Sequence, residues 1–293
     1  MSGELVALLS ALLWAIGSVL ITVGAKRLRV VPLNLVRCTV STVFFWALLP
    51  FYGGIQALAT IAPSAWLWLV VSVLGLLVVG DTLYFRSMDL AGVSWAMPVA
   101  SISPLWAVLL ASLFMGEPLT WPLLAGALLV VVGVVLVGRP ARPTTGGNPG
   151  DQQARQAGLL LALVVSVLWA IGQVSLKPAT EGVHSVVANS VRQPLAALML
   201  LGLTLRRERW QALQRLDKRS WAIIVAASLV GTGFGTLFFV MAIQMTGAGR
   251  TAVLTASAPV MAIPFSVLWL QERPTPWTLF GTLLTVVGIV LVA

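Results

Sequence analysis

The chain has 293 residues, 59% apolar and 9% charged, with a mean hydropathy of +0.98, whereas a soluble domain carries about a quarter of its residues charged. So few charges cannot cover the wetted surface of a water-soluble enzyme of this length, and lipid must be the solvent for most of it. The formal net charge of +9 falls in loops between apolar runs, where it reads as a membrane orientation signal and excludes nucleic acid as a partner.

In chain order, apolar stretches run near Leu5 to Gly24, Pro32 to Tyr52, Ala65 to Phe85, Ser94 to Phe114 and Trp121 to Gly138. Five more follow near Ala157 to Leu176, Ser185 to Leu205, Trp221 to Ile243, Thr251 to Leu270 and Trp277 to Val292. Each approaches the roughly 20 residues that carry a helix across a bilayer, so an all-α membrane protein of ten spans is expected. Met1 to Glu4 lacks the basic region of a secretory signal and the first run ends in Lys26, Arg27 and Arg29, which predicts a retained transmembrane helix. Between the two sets of five lies RPARPTTGGNPGDQQARQ, Arg139 to Gln156, too polar for lipid and rich in Pro, Gly and Gln, as a linker would be. It separates a first unit, 1–138, from a second, 157–293. The lone Cys38 excludes a disulfide framework or cysteine metal site and the lone His184 a histidine cluster, so no cofactor or metal is expected.

The two units are copies. One ungapped register aligns Trp14 with Trp169 inside LWAIG, Asn34 and Arg37 with Asn189 and Arg192, and Gly80 with Gly235. The same register aligns Pro104 with Pro259, Glu117 with Glu272, and Gly126 and Gly133 with Gly281 and Gly288. Because five is odd, the second copy must enter the membrane from the opposite side, giving an inverted repeat. With the amino terminus outside, the inner loops hold Lys26, Arg27, Arg29, Arg86, Arg139, Arg142, Arg155, the RRERWQALQRLDKR segment and Arg273, while Lys177 and Arg250 flank the outer side. Both termini are therefore expected outside and the linker in the cytoplasm.

The segments MPVASISPLWAVLLASLFMGEPLTWPLLAGALLVVVGVVLV and VLTASAPVMAIPFSVLWLQERPTPWTLFGTLLTVVGIVLV, each preceded by an LWAIG helix, resemble the EamA family of the drug/metabolite transporter superfamily. The resemblance spans nearly the whole chain. It implies a ten-helix carrier in a bacterial or archaeal plasma membrane, with a central cavity between its halves, exporting amino acids, amines or other small metabolites.

Ionisable groups inside a span cost about 2.5–3.5 kcal/mol on insertion scales, so each needs a partner or a task. Asp81, near the cytoplasmic end of the third span, and Arg37, near the cytoplasmic start of the second, lie at similar depth. They are expected either as a structural ion pair or as a coupling pair in which Asp81 exchanges protons. Arg192 copies Arg37, but Thr236 stands where a second Asp81 would be, so Arg192 is expected to snorkel or to attract an anionic substrate group at the outer mouth. Lys177 near the outer end of the sixth span is expected to reach headgroups.

Trp14 and Trp169 are mid-span, followed by Gly17 and Gly172, and serve either a packing seam or a cavity lining. Gln173 favours the cavity, because lipid would leave its amide unsatisfied, and tryptophan faces suit cationic or planar ligands. Pro104 and Pro259 are expected as hinges, since each frees a carbonyl inside a span. Ser101, Ser103, Thr255 and Ser257 surround them and either line the site or bond their own helix. Trp95, Met97 and Pro98 are expected to add a break to the fourth span that sets substrate preference, with Trp95 as a substrate contact. Glu117 and Glu272 read as structural carboxylates favoured by a helix N-terminus.

The combined expectation is a secondary carrier, not an enzyme, whose partners are a small-molecule substrate, lipid, and protons or an exchanged solute, working as a monomer or homodimer. Alternatives are an obligate exchanger of phosphorylated or nucleotide-linked metabolites, or a membrane-embedded enzyme or scaffold.

Overall fold

The structure, a computed structural model, describes residues 2–24, 30–138, 149–205, 207–214, 216–270 and 274–293. Lys26, Arg27, Arg29, Arg139, Arg142, Arg206, Arg215, Glu272 and Arg273 lie outside them, as does the first part of the proposed linker. Among the described residues every regular element is helical.

Among the described residues eight helices are long and apolar enough to cross a membrane: α1 (Gly3–Thr22), α2 (Val31–Tyr52), α3 (Pro63–Ala91), α4 (Trp95–Met115), α6 (Gln152–Ala179), α7 (Ser185–Thr204), α8 (Lys218–Thr246) and α9 (Ala248–Trp269). Two shorter apolar helices complete the set, α5 (Trp121–Val137) and α10 (Pro276–Val292). All-helical folding follows from the solvent, since each backbone N–H and C=O left unpaired in hydrocarbon costs several kcal/mol. The stretch expected as linker is partly helical: a continuous helix begins at Pro149 and runs to Val174. The RRERWQALQRLDKR segment is likewise helical over Arg207–Gln214, and Asp217 then caps α8, its carboxylate accepting from the Ser220 N–H at 3.4 Å.

Helices α1–α5 pack chiefly on helices α6–α10. α5 meets α10 along facing glycines, Gly126 against Gly288 and Gly133 against Gly281, where any added Cβ would press on backbone. α1 meets α8 through Gly17 and Gly231, and α6 meets α3 through Gly172 and Gly75. α2 and α7 are tied by the Trp46 indole N–H, which donates to the Ser190 carbonyl at 2.9 Å.

Irregularities recur at matching places. α3 and α8 each contain a wide π-helical stretch, Leu74–Val78 and Leu229–Gly235, a feature often found at functional positions. The hairpins α3–α4 and α8–α9 turn on Gly92 (φ 81°) and Gly247 (φ 91°), a backbone region that glycine enters without a Cβ clash. α4 and α9 are broken just ahead of their prolines, into Val93–Ala100 and Ser103–Met115, and into Ala248–Thr255 and Ala258–Leu270. Pro98, expected to add a further break, sits inside a continuous helix instead.

Candidate functional site

The breaks in α4 and α9 face a cavity of about 170 Å³ between the two units, walled by residues of α1, α4, α5, α6 and α9. Eight of the sequence-selected residues line it: Trp14, Ser101, Ser103, Pro104, Trp169, Gln173, Thr255 and Pro259. The chain reaches this arrangement because a proline in each helix forces a break at mid-span, and the small residues Ala100, Ala252 and Ala256 leave room there.

The wall hydroxyls are turned into their own helices. Ser101 Oγ donates to the Met97 carbonyl and Thr255 Oγ1 to the Thr251 carbonyl, both at 2.8 Å. Ser103 Oγ and Gln173 Oε1 are buried without a hydrogen-bond partner, which is costly unless a water or a ligand meets them. Trp14 is held in place by Phe239, ring centroids 4.9 Å apart, and Trp169 by Tyr84 at 4.8 Å. Trp14 packs over Gly235 and Trp169 over Gly80, so packing and lining are both served by the same rings.

Trp95 and Ser257 are placed elsewhere. Trp95 is exposed, with the Arg155 guanidinium 3.6 Å above its ring. Ser257 is fully buried, its hydroxyl donating to the Leu254 carbonyl at 2.5 Å.

The charged residues form two separate networks behind the cavity. Arg37 and Asp81 are joined through Asn34: its Oδ1 accepts from Arg37 Nη1 at 3.0 Å, and its Nδ2 donates to Asp81 Oδ2 at 3.0 Å. The Trp169 indole packs against Gly80, the chain neighbour of Asp81, which brings this network up to the cavity wall. Arg37 Nε donates across the unit boundary to Thr232 Oγ1 at 3.1 Å, in the π-helical stretch of α8. Arg192 repeats the motif with Asn189 (2.8 Å) and reaches back across the boundary to Ser72 Oγ (3.0 Å) in α3. It is 1% exposed. The expected snorkelling is therefore not what the helix does; hydrogen bonds to buried side chains hold the guanidinium inside.

Asn34, Asn189, Thr232 and Ser72 were not selected from the sequence. The asparagines carried a signal, the Asn-x-x-Arg spacing that puts both side chains on one helix face and occurs in each unit. Thr232 and Ser72 carried none, since only packing brings them to the arginines. Glu117 caps a helix as a structural carboxylate should, but the helix is α9: its oxygens accept from the N–H groups of Ala248 (2.7 Å) and Gly249 (3.0 Å). Lys177 Nζ pairs with the same carboxylate at 2.8 Å. Two further depressions, of about 650 and 410 Å³, open at this end of the bundle and share Lys177 and Gln244.

The EamA-like transporter family profile matches residues 1–139 and 156–293. An uncharacterized transporter of Archaeoglobus fulgidus is 28% identical over 98% of this chain and 96% of its own. A probable terminal-alkyne amino-acid exporter of Streptantibioticus cattleyicolor is 26% identical over 66% of this chain and 61% of its own. A crystal structure superposes with a TM-score of 0.82 at 23% identity, over 99% of this chain and 94% of that one, and supports the fold. The chain belongs to the EamA-like transporter family and is a multi-pass integral membrane transporter.

Proposed function

We propose that this EamA-like transporter is a secondary active carrier that exports a small polar metabolite, an amine or amino acid, by alternating access. The observation that carries the reading is the cavity between the two units, walled by paired tryptophans, broken helices and partnerless polar atoms. In this reading the chain has ten spans, α1–α5 and α6–α10 forming oppositely inserted units, 1–138 and 157–293, with a cytoplasmic linker and both termini outside. The recurrence of π-helical stretches, glycine hairpins and mid-span breaks at matching places supports two such units. Pro104 and Pro259 act as hinges, because a break that already lacks a backbone hydrogen bond bends at little further cost. Asp81 is the coupling group and Arg37 its tether through Asn34. The amino-acid exporter among the relatives is consistent with a cargo of this size. A phosphorylated cargo is disfavoured, since none of the described residues lining the cavity is charged.

Counterflow in liposomes, with labelled amines, amino acids and sugar phosphates at matched and unmatched pH, tests the proposal. Exchange of an amine or amino acid, with dependence on the pH gradient abolished by Asp81→Asn, is the expected result. Exchange of none of them would remove the carrier reading, and a pH response untouched by Asp81→Asn would remove the coupling role.

A further inference from the structure

The cavity is rich in hydrogen-bond acceptors and poor in donors. Ser101 and Thr255 give their only O–H protons to the Met97 and Thr251 carbonyls, so each offers a ligand lone pairs alone. Pro104 and Pro259 have no N–H for the carbonyls of Ala100 and Thr255 one turn earlier, and both of those residues are on the wall. The same two residues end the half-helices Val93–Ala100 and Ala248–Thr255, so two helix C-termini bring partial negative charge to the cavity. The half-helices that restart beyond the breaks carry those prolines in their first turns, which removes one free N–H from each. Gln173 adds an acceptor, Oε1, with no partner. The side-chain donors on the wall are the Ser103 hydroxyl, the Gln173 amide nitrogen and the Trp14 indole N–H, fewer than the acceptors.

The aromatic wall has the same sign. Trp14 and Trp169 present indole rings, whose faces attract cations. Trp169 packs against Gly80, next to Asp81 in the chain, so a carboxylate stands beside that ring and increases its attraction for positive charge. No charged side chain of the described residues lines the cavity, and the half-buried Arg37 and the buried Arg192 are turned to neutral partners outside it, Thr232 with Asn34 and Ser72 with Asn189. A carboxylate or phosphate would thus meet lone pairs and π-faces. A volume of about 170 Å³ compares with the roughly 150 Å³ apolar cavity that takes up a benzene.

Resting on the carrier reading above, we infer that the cavity recognises a small organic ammonium ion with a compact apolar body, and that a free carboxylate on the same molecule weakens binding. The ammonium hydrogens meet Gln173 Oε1 and the Ala100 and Thr255 carbonyl end of the site, and the apolar body lies against the indoles, Val131 and Val134. Asp81 acts at one remove, as a positioning residue through Trp169.

Calorimetric titration of the full-length protein in detergent tests this with four probes of similar size: isopentylamine, its neutral amide counterpart isovaleramide, the carboxylate isovalerate, and leucine, which adds a carboxylate to isopentylamine. Isopentylamine is expected to bind at least tenfold tighter than the other three. Asp81→Asn should weaken isopentylamine about tenfold and leave isovaleramide unchanged, Asp81→Glu should retain most of the preference, and Gln173→Leu should weaken isopentylamine with the protein still folded. Equal or tighter binding of isovalerate or leucine overturns the inference, as does the absence of binding by all four. An equal loss of isopentylamine and isovaleramide in Asp81→Asn overturns the charge role given to Asp81. The carrier reading is judged separately by counterflow, so a transported organic acid would sink the ammonium specificity and leave the carrier intact.

Discussion

At the scale of single residues, the two arginine motifs explain how a chain with so few charges keeps two of them inside its spans. Arg192 is buried among neutral partners, so its charge is stabilised by directed hydrogen bonds from a fixed guanidinium fork to Asn189 and Ser72. Removing one acceptor leaves the charge in place and undersolvated. Ser72→Ala should therefore cost about 1.5–3 kcal/mol, the range for hydrogen bonds to charged groups. Arg192→Lys should be destabilising despite retaining charge, because an ammonium cannot reach both acceptors in the same geometry. Thermal unfolding in detergent checks both, and a Ser72→Ala protein melting at the parental temperature would show that the bond contributes nothing. Arg37 differs, since the same motif is neutralised through Asn34 by Asp81.

At the scale of elements, the starts of α7 and α9 are set by side chains, one adjacent in the chain and one far along it. His184 precedes α7, where its Nδ1 accepts from the Val186 N–H at 3.2 Å while its ring stacks on Tyr52 at 4.2 Å. Accepting that bond requires neutral imidazole, and burial lowers the His184 pKa below its ordinary 6.5. A folded-state pKa below the unfolded one means the unfolded chain binds the proton more readily. The cap's contribution, about 1 kcal/mol, is thus present above about pH 6.5 and lost as pH falls through the lowered folded value. Melting temperature followed from pH 7.5 to pH 5 should show this loss, and His184→Asn, which retains an acceptor that does not titrate, should flatten it. At α9 the Glu117 carboxylate meets two backbone N–H groups and Lys177. The lysine is substantially exposed, and exposed ion pairs contribute about 0–1 kcal/mol, so Glu117→Gln should destabilise more than Lys177→Met. The reverse order would make the ion pair, rather than the cap, the stabilising contact.

At the scale of the whole molecule, the two halves are joined by mixed apolar clusters, such as Val108, Leu123 and Val130 with Val253, Leu254 and Val292, and by small-residue seams and polar crossings. Lipid offers no hydrophobic drive for helices to associate, so close backbone approach must supply the dispersion energy. α5 and α10 depend on this most, because Gly133 and Gly281 leave no room for a side chain. Gly133→Leu should separate these helices and lower stability by about 2 kcal/mol or more, in the range of core overpacking, with transport lost as well. Normal melting with normal counterflow would mean that the seam is not required. A topology reporter fused after Ala293 that fluoresces only in the cytoplasm should stay dark; a bright fusion would reverse the orientation read from the loop charges.

Much of this protein was legible in the sequence for one physical reason: bilayer thickness and backbone polarity leave a chain this apolar almost no option except spanning helices. Composition determined the solvent and helix class, and the duplicated register picked out Trp14, Trp169, Pro104 and Pro259, which the fold does bring to one cavity. What it could not settle are contacts made across the unit boundary. Arg37 with Thr232, Arg192 with Ser72, and Glu117 with the start of α9 join residues far apart in the chain and carry no local pattern. Only the tertiary structure decided that Arg192 is held inside, that Trp95 and Ser257 stand away from the cavity, and that the wall hydroxyls spend their protons on their own helices. Those outcomes depend on which side chain another helix presents at a given depth, and the order of residues along one helix does not encode it.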